Sequence, residues 1–214
     1  MLPLAALLFF RKINTERIAF VIIIYGIVFF LLNMLFGWFE RTGYRKVYYF
    51  SYTFLEYLIF SSIVFWKIQS KIFRSVIIVF SILFIAFQFF HYFTIKIRVV
   101  DSLPIGIETI LLFSYIIFYF YEQFKIANPD YVYKNPTFWI FFGILIYLGE
   151  VFFFNILADY ISKQTVLKYW DLTYIGDIVK NVLFLYALYI LRNNSNHQQP
   201  QKKTIPHLDM DFTL

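Results

Sequence analysis

The sequence predicts an all-α fold: a polytopic transmembrane helix bundle of six full spans, with a short N-terminal segment counted as a seventh, half-length helix. Three observations carry this prediction. Six segments of about twenty mainly apolar residues follow one another, each able to cross a hydrocarbon core of about 30 Å at a rise of about 1.5 Å per residue. The 214 residues are 61% hydrophobic and 15% charged, whereas a soluble domain is roughly half apolar and one quarter charged. Lys and Arg gather in the short loops between the segments, as they do where basic residues set membrane orientation.

The N-terminal segment Met1–Phe10 is apolar, and Pro3 suits a first helical turn. Ten helical residues reach only about 15 Å, half a span. Neither a preceding basic stretch nor a small-residue cleavage site accompanies it, so it does not read as a signal peptide. The six spans are Ile18–Gly37, Val47–Trp66, Ser75–Phe93, Leu103–Tyr121, Phe138–Ala158 and Leu172–Leu191. Leu103-Pro104 opens the fourth, and Asn128-Pro129-Asp130 with Asn135-Pro136 brackets the loop before the fifth. The bundle, residues 1–191, is a single domain, because no polar stretch before residue 192 is long enough to fold separately. Residues 192–214 are Asn/Gln/Lys-rich at first, cannot bury a core, and are expected to be a disordered cytoplasmic tail.

Orientation follows from the loops. Eleven Lys and Arg lie on the side that receives the C-terminus, against seven on the other. The bias predicts a cytoplasmic C-terminus. The +6 net charge belongs to this pattern, so no nucleic acid partner is expected and the lipid bilayer is the first partner. Cys is absent, which excludes disulfides, thiol catalysis and Cys-ligated metals.

An ionisable side chain at mid-bilayer costs about 2.5–3.5 kcal/mol on insertion scales and asks for a partner or a watery cavity. Glu56, Glu108, Glu150, Asp177 and Lys180 are such residues, with Gln88, His91 and Asn155 as polar neighbours, and Asn33 and Asn181 beside them. Most fall toward one end of their spans, the outer end in the predicted orientation. That asymmetry predicts an outward-facing polar pocket, and these residues are its candidate ligand-binding set. Asp177 and Lys180 are three apart, hence on one helix face. They read either as a structural ion pair or as part of a site that binds a polar ligand or moves protons. A buried lysine in the last helix with an acid one turn away also resembles the retinal Schiff base of rhodopsins, but the aspartate spacing differs and the rest of that signature is missing. His91 reads as an interfacial hydrogen-bonding residue. The other histidines, His197 and His207, lie in the tail, so no metal site is expected, and no cofactor. A paired-carboxylate hydrolase would use Glu108 and Glu150, but no GxSxG, HExxH, phosphate-binding loop or paired-Glu membrane-protease motif is present. Gly143 and Gly149 read as positions of close helix packing.

Leu2-Pro3-Leu4, Asp101-Ser102-Leu103-Pro104 followed by Glu108, Tyr121-Glu122-Gln123, Pro136-Thr137-Phe138-Trp139-Ile140 and Lys180-Asn181-Val182-Leu183-Phe184 stand along nearly the whole chain. With them it resembles an uncharacterised family of small bacterial seven-helix integral membrane proteins. The resemblance implies no activity. Members of that family accompany sensor kinases and begin with a longer first helix, which implies a signalling role and a first helix completed upstream of Met1. The resemblance implies a bacterial inner (cell) membrane, and the expected function is a membrane-embedded sensory or accessory protein, more a binding protein than an enzyme. Its rivals are a small-molecule or ion-coupled transporter and a lipid-modifying membrane enzyme. At the end of the tail, Leu208, Met210, Phe212 and Leu214 alternate with polar residues. That is a strand pattern, read either as loose chain or as a peptide that docks a cytoplasmic protein partner by adding a strand to its sheet.

Overall fold

A computed structural model of the chain describes residues 17–94, 102–126, 133–160 and 173–197, with side chains for all of these except 102, 155–160, 173 and 194–197. The described residues form six helices: α1 Arg17–Arg41, α2 Arg45–Lys67, α3 Lys71–Thr94, α4 Ser102–Ile126, α5 Pro136–Tyr160 and α6 Thr173–His197. All six are long and apolar enough to cross a membrane, and the described residues contain no strand. The chain is a multi-pass transmembrane helix bundle. Each helix overruns its expected span by a few residues, and α6 continues past Leu191 to His197. Met1–Phe10 and the Leu208–Leu214 pattern lie outside the described residues.

Local sequence sets the helix ends. Between α1 and α2, Thr42 Oγ1 donates to the Trp38 carbonyl at 2.8 Å, and Gly43 takes φ 79°, a left-handed conformation that glycine adopts without Cβ strain. Between α2 and α3 only Ile68, Gln69 and Ser70 lie outside the helices, and the two free backbone N–H groups preceding α3 are taken up by a side chain from α4. Glu122 accepts from Gln69 N and Ser70 N, both at 2.9 Å. A carboxylate there answers both the orphan donors and the positive end of the helix. Before α5, Asn135 Oδ1 accepts from Thr137 N at 3.0 Å, with Pro136 as the first helical residue.

α2 is the hub. It packs directly on α1, α3 and α4, and its Tyr52 and Glu56 reach α5. α4 joins α5, and α5 and α6 pack along the longest shared face. Gly143 makes that approach possible: a Cβ there would lie 3.2 Å from Leu183 Cβ and 3.4 Å from the Lys180 backbone. Lys180 and Phe184 of α6 return to Tyr25 of α1. Helices α1, α2, α4, α5 and α6 thus close a ring, with α3 packed outside on α2 and α4. The outer surface of α3 presents Ile78, Val79, Phe80, Ile82, Leu83, Phe89 and Phe90, an apolar face suited to lipid tails. Lipid supplies little hydrophobic drive between helices, so packing and polar bonds must hold the bundle. Tyr57, Phe60, Ile116, Phe141 and Phe184 are fully buried at its centre.

Candidate functional site: a lysine among tyrosines and carboxylates

Lys180 is completely buried. Its position three residues after Asp177 lets the two side chains meet along one face of α6, with Nζ 2.7 Å from Asp177 Oδ1. Nζ also donates to Tyr25 Oη at 2.6 Å and stands 3.4 Å from the centre of the Tyr147 ring. Tyr25 in turn donates to Glu56 Oε1 at 3.3 Å, and Tyr147 donates to Glu56 Oε2 at 3.2 Å. Tyr52 and Tyr147 share a hydroxyl contact at 3.4 Å. A continuous polar chain therefore runs from Asp177 through Lys180 and Tyr25 to Glu56, then through Tyr147 to Tyr52. It joins α6, α1, α2 and α5.

The burial of the chain is graded. Lys180 is 0% exposed and Glu56 4%, whereas the Asp177 side chain is 43% exposed. Asp177 lies one turn closer than Lys180 to the α1–α2 turn end of the bundle, so the network has a buried root and an open tip. The ammonium is satisfied in the manner a low-dielectric interior requires, by a carboxylate, a hydroxyl and a ring face together. Both expected readings of the Asp177–Lys180 pair start from this geometry: it is an ion pair, and it belongs to a larger polar assembly.

The other expected residues divide. Glu108 is buried on α4 with no hydrogen-bond partner for its Oε1, within electrostatic reach of Glu56. Gln88, buried on α3, donates from Nε2 to the Phe50 carbonyl at 3.3 Å and leaves Oε1 without a partner. His91 is buried one turn beyond it, against the Phe87 ring. Gln88 and His91 stand on α3, outside the ring that holds Lys180, and Glu108 stands on α4, a ring helix against which α3 packs. Glu150 is half-buried on α5 and packs against the backbone of Gly176 on α6, where a Cβ would collide with its carboxylate. Asn155 is on α5, and its side chain lies outside the described residues. Asn33 accepts from Tyr48 at 3.2 Å on an exposed face, and Asn181 donates to Asp177 at 3.4 Å. No group of three or more His, Cys, Asp or Glu that could hold a metal occurs among the described residues.

The tyrosines were the missed half of the site. Abundant Tyr in a membrane chain reads as an interfacial belt, and that reading hides Tyr25, Tyr52, Tyr57, Tyr115 and Tyr147. The available signal was depth. Tyr25 and Tyr147 stand near the middle of their spans, where headgroups cannot reach and a buried hydroxyl must find a protein partner. Nothing local in the sequence marks Glu122 as a helix cap, because the loop it caps is distant in sequence.

No family model, curated protein or solved structure matches this chain.

Proposed function

We propose that this protein is a membrane-embedded sensor of a small anionic solute, bound at Lys180 from the outer side of a bacterial inner membrane. One observation carries the reading: a fully buried ammonium whose ionic partner, Asp177, is 43% exposed. Water already competes with Lys180 for the half-solvated Asp177 carboxylate, which weakens its hold on the buried cation. A solute carboxylate can take its place without leaving a charge stranded, since Asp177 already faces water. The exchange would act on α6, which carries Lys180 and runs on to His197, in the predicted orientation toward the cytoplasm. The Leu208, Met210, Phe212 and Leu214 segment would then offer the changed helix to a cytoplasmic partner. A ligand shifts such an equilibrium only by its differential affinity for the two packings, and contact with Lys180 supplies that difference.

The test is a thermal-shift series on the purified full chain with small carboxylates such as acetate, succinate and glutamate. At least one should raise the melting temperature of the wild type and leave Lys180→Met unmoved. Asp177→Asn, which removes the internal competitor, should bind it about tenfold tighter, equivalent to about 1.4 kcal/mol. Binding that survives Lys180→Met, or is lost in Asp177→Asn, contradicts the competition. A wild type that no carboxylate shifts contradicts the sensor reading itself.

A further inference from the structure

Glu56 accepts two hydroxyls at once, one on each oxygen. Tyr25 donates to Oε1 at 3.3 Å and Tyr147 donates to Oε2 at 3.2 Å. Both oxygens are thus met as a charged carboxylate requires, although Glu56 is only 4% exposed. The two tyrosines are not equivalent. Tyr25 Oη already accepts from Lys180 Nζ at 2.6 Å, so its single proton stays pointed at Glu56. Tyr147 has a choice, because Tyr52 Oη stands 3.4 Å from its own oxygen and either hydroxyl of that pair can donate. The arm from Glu56 through Tyr147 to Tyr52 therefore fits two protonation states by turning hydroxyls alone. With Glu56 charged, Tyr52 donates to Tyr147 and Tyr147 donates to Glu56. With a proton on Oε2, Glu56 donates to Tyr147 and Tyr147 turns to Tyr52.

The charges of this network do not balance once an anionic solute enters. Among the described residues Lys180 is its cation, and Glu56 and Asp177 are its anions. In the free protein the surplus negative charge rests on Asp177, whose side chain is 43% exposed and meets water. A solute carboxylate that takes the place of Asp177 at Nζ lies inside the bundle. One buried ammonium then serves two buried carboxylates, Glu56 and the solute. Glu108, within electrostatic reach of Glu56, and Glu150, within reach of Asp177, bring further acid and no positive charge. An unpaired charge in a membrane interior is strongly disfavoured. One proton on Glu56 restores the balance, and the hydroxyl pair beside it already accommodates that proton.

We propose that the site takes up one proton with each anionic solute and holds it on Oε2 of Glu56. The proton is drawn from water, the bond formed is Oε2–H, and the negative charge of Glu56 is replaced by that of the solute. The inference rests on the anion-binding reading above and names its ligand class. An anion with a proton is a carboxylic acid, so the ligand is a small weak acid, and the response to it grows as the medium turns acidic.

The experiment measures binding of acetate, succinate and glutamate to the full chain in nanodiscs by titration calorimetry, from pH 6 to 9 and in buffers of differing ionisation enthalpy. Wild type should absorb up to one proton per solute, and its dissociation constant should rise by up to about tenfold per pH unit. Glu56→Gln, with a neutral amide in place of the acid, should bind without proton uptake and with an affinity independent of pH. Tyr52→Phe removes the oxygen to which Tyr147 turns, so it penalises the protonated form. It should move the fall in affinity about one pH unit lower, and it serves if Glu56→Gln does not fold. The titratable and charged groups facing Glu56 are Tyr25 of α1, Tyr52 of α2, Glu108 of α4, Tyr147 of α5, and Asp177 and Lys180 of α6. The α3 helix, joined to α2 through Tyr57 and Ser81, carries His91. Glu108→Gln and His91→Gln must therefore keep the proton uptake, and its loss in either would take the proton off Glu56. Solute binding without proton uptake, or uptake and pH profile unchanged in whichever of Glu56→Gln and Tyr52→Phe folds, overturns this proposal and leaves the anion reading standing. Binding of none of the three carboxylates at any pH overturns both.

Discussion

Replacing Lys180 by Met keeps the length of the side chain and deletes its charge. The cost can be assembled from its contacts. The hydrogen bond from Nζ to Tyr25 at 2.6 Å is charge-assisted and contributes about 1.5–3 kcal/mol. The ring of Tyr147, with its centroid 3.4 Å from Nζ, contributes about 1–2 kcal/mol as a desolvated cation–π contact. Asp177 adds less than about 1 kcal/mol because it is 43% exposed and regains water when its partner is gone. Against these losses stands the relief of removing an ammonium from the membrane interior, about 2.5–3.5 kcal/mol. The balance is a destabilisation of about 1–2 kcal/mol, or about 3–6 °C in melting temperature for a chain of this size. Glu56 decides the sign of what remains. It is joined to Lys180 through Tyr25, so in a Glu56→Gln background the lysine has less negative charge to answer. The same Lys180→Met change should then cost about 1 kcal/mol less, a coupling typical of residues in one network. Thermal unfolding of wild type, both single variants and the double variant in detergent measures it. A Lys180→Met protein as stable as the wild type, or single-variant effects that simply add, would refute the idea that Lys180 and Glu56 form one electrostatic unit.

Three further outcomes are expected. Glu122→Ala removes the acceptor of two backbone N–H groups before α3 and should destabilise by about 1–2 kcal/mol, with faster amide exchange at Gln69 and Ser70 than elsewhere in the α2–α3 connection. Gly143→Val forces α5 and α6 apart beside Lys180 and should cost about 1–3 kcal/mol. Gly37→Val, where a Cβ meets nothing within 4 Å, should stay within about 0.5 kcal/mol, and equal losses at the two glycines in a melting assay would contradict the packing account. Reporter fusions after Leu214 should be active only in their cytoplasmic form, and periplasmic activity would reverse the orientation and place the Asp177 end of the network inside the cell.

The six apolar spans and the helical class followed from composition and segment length alone, because the bilayer imposes one length on any helix that crosses it and satisfies no backbone group for any other open structure. The same physics made Glu56, Glu108 and Lys180 visible as candidates, since a charge within an apolar run is conspicuous against its neighbours. Which of them meet was not visible. A helix has only a few faces, and choosing among them needs the neighbours. The sequence places Asp177 and Lys180 together because they share one helix, but Tyr25 and Lys180 are separated by most of the chain and are joined only by the closure of α6 onto α1. Glu56 and Tyr57, adjacent in sequence, point about 100° apart on a helix and so meet different neighbours. Tertiary packing alone decided that Glu56 meets Tyr25 and Tyr147 beside the lysine while Tyr57 meets Ser81 and Tyr115.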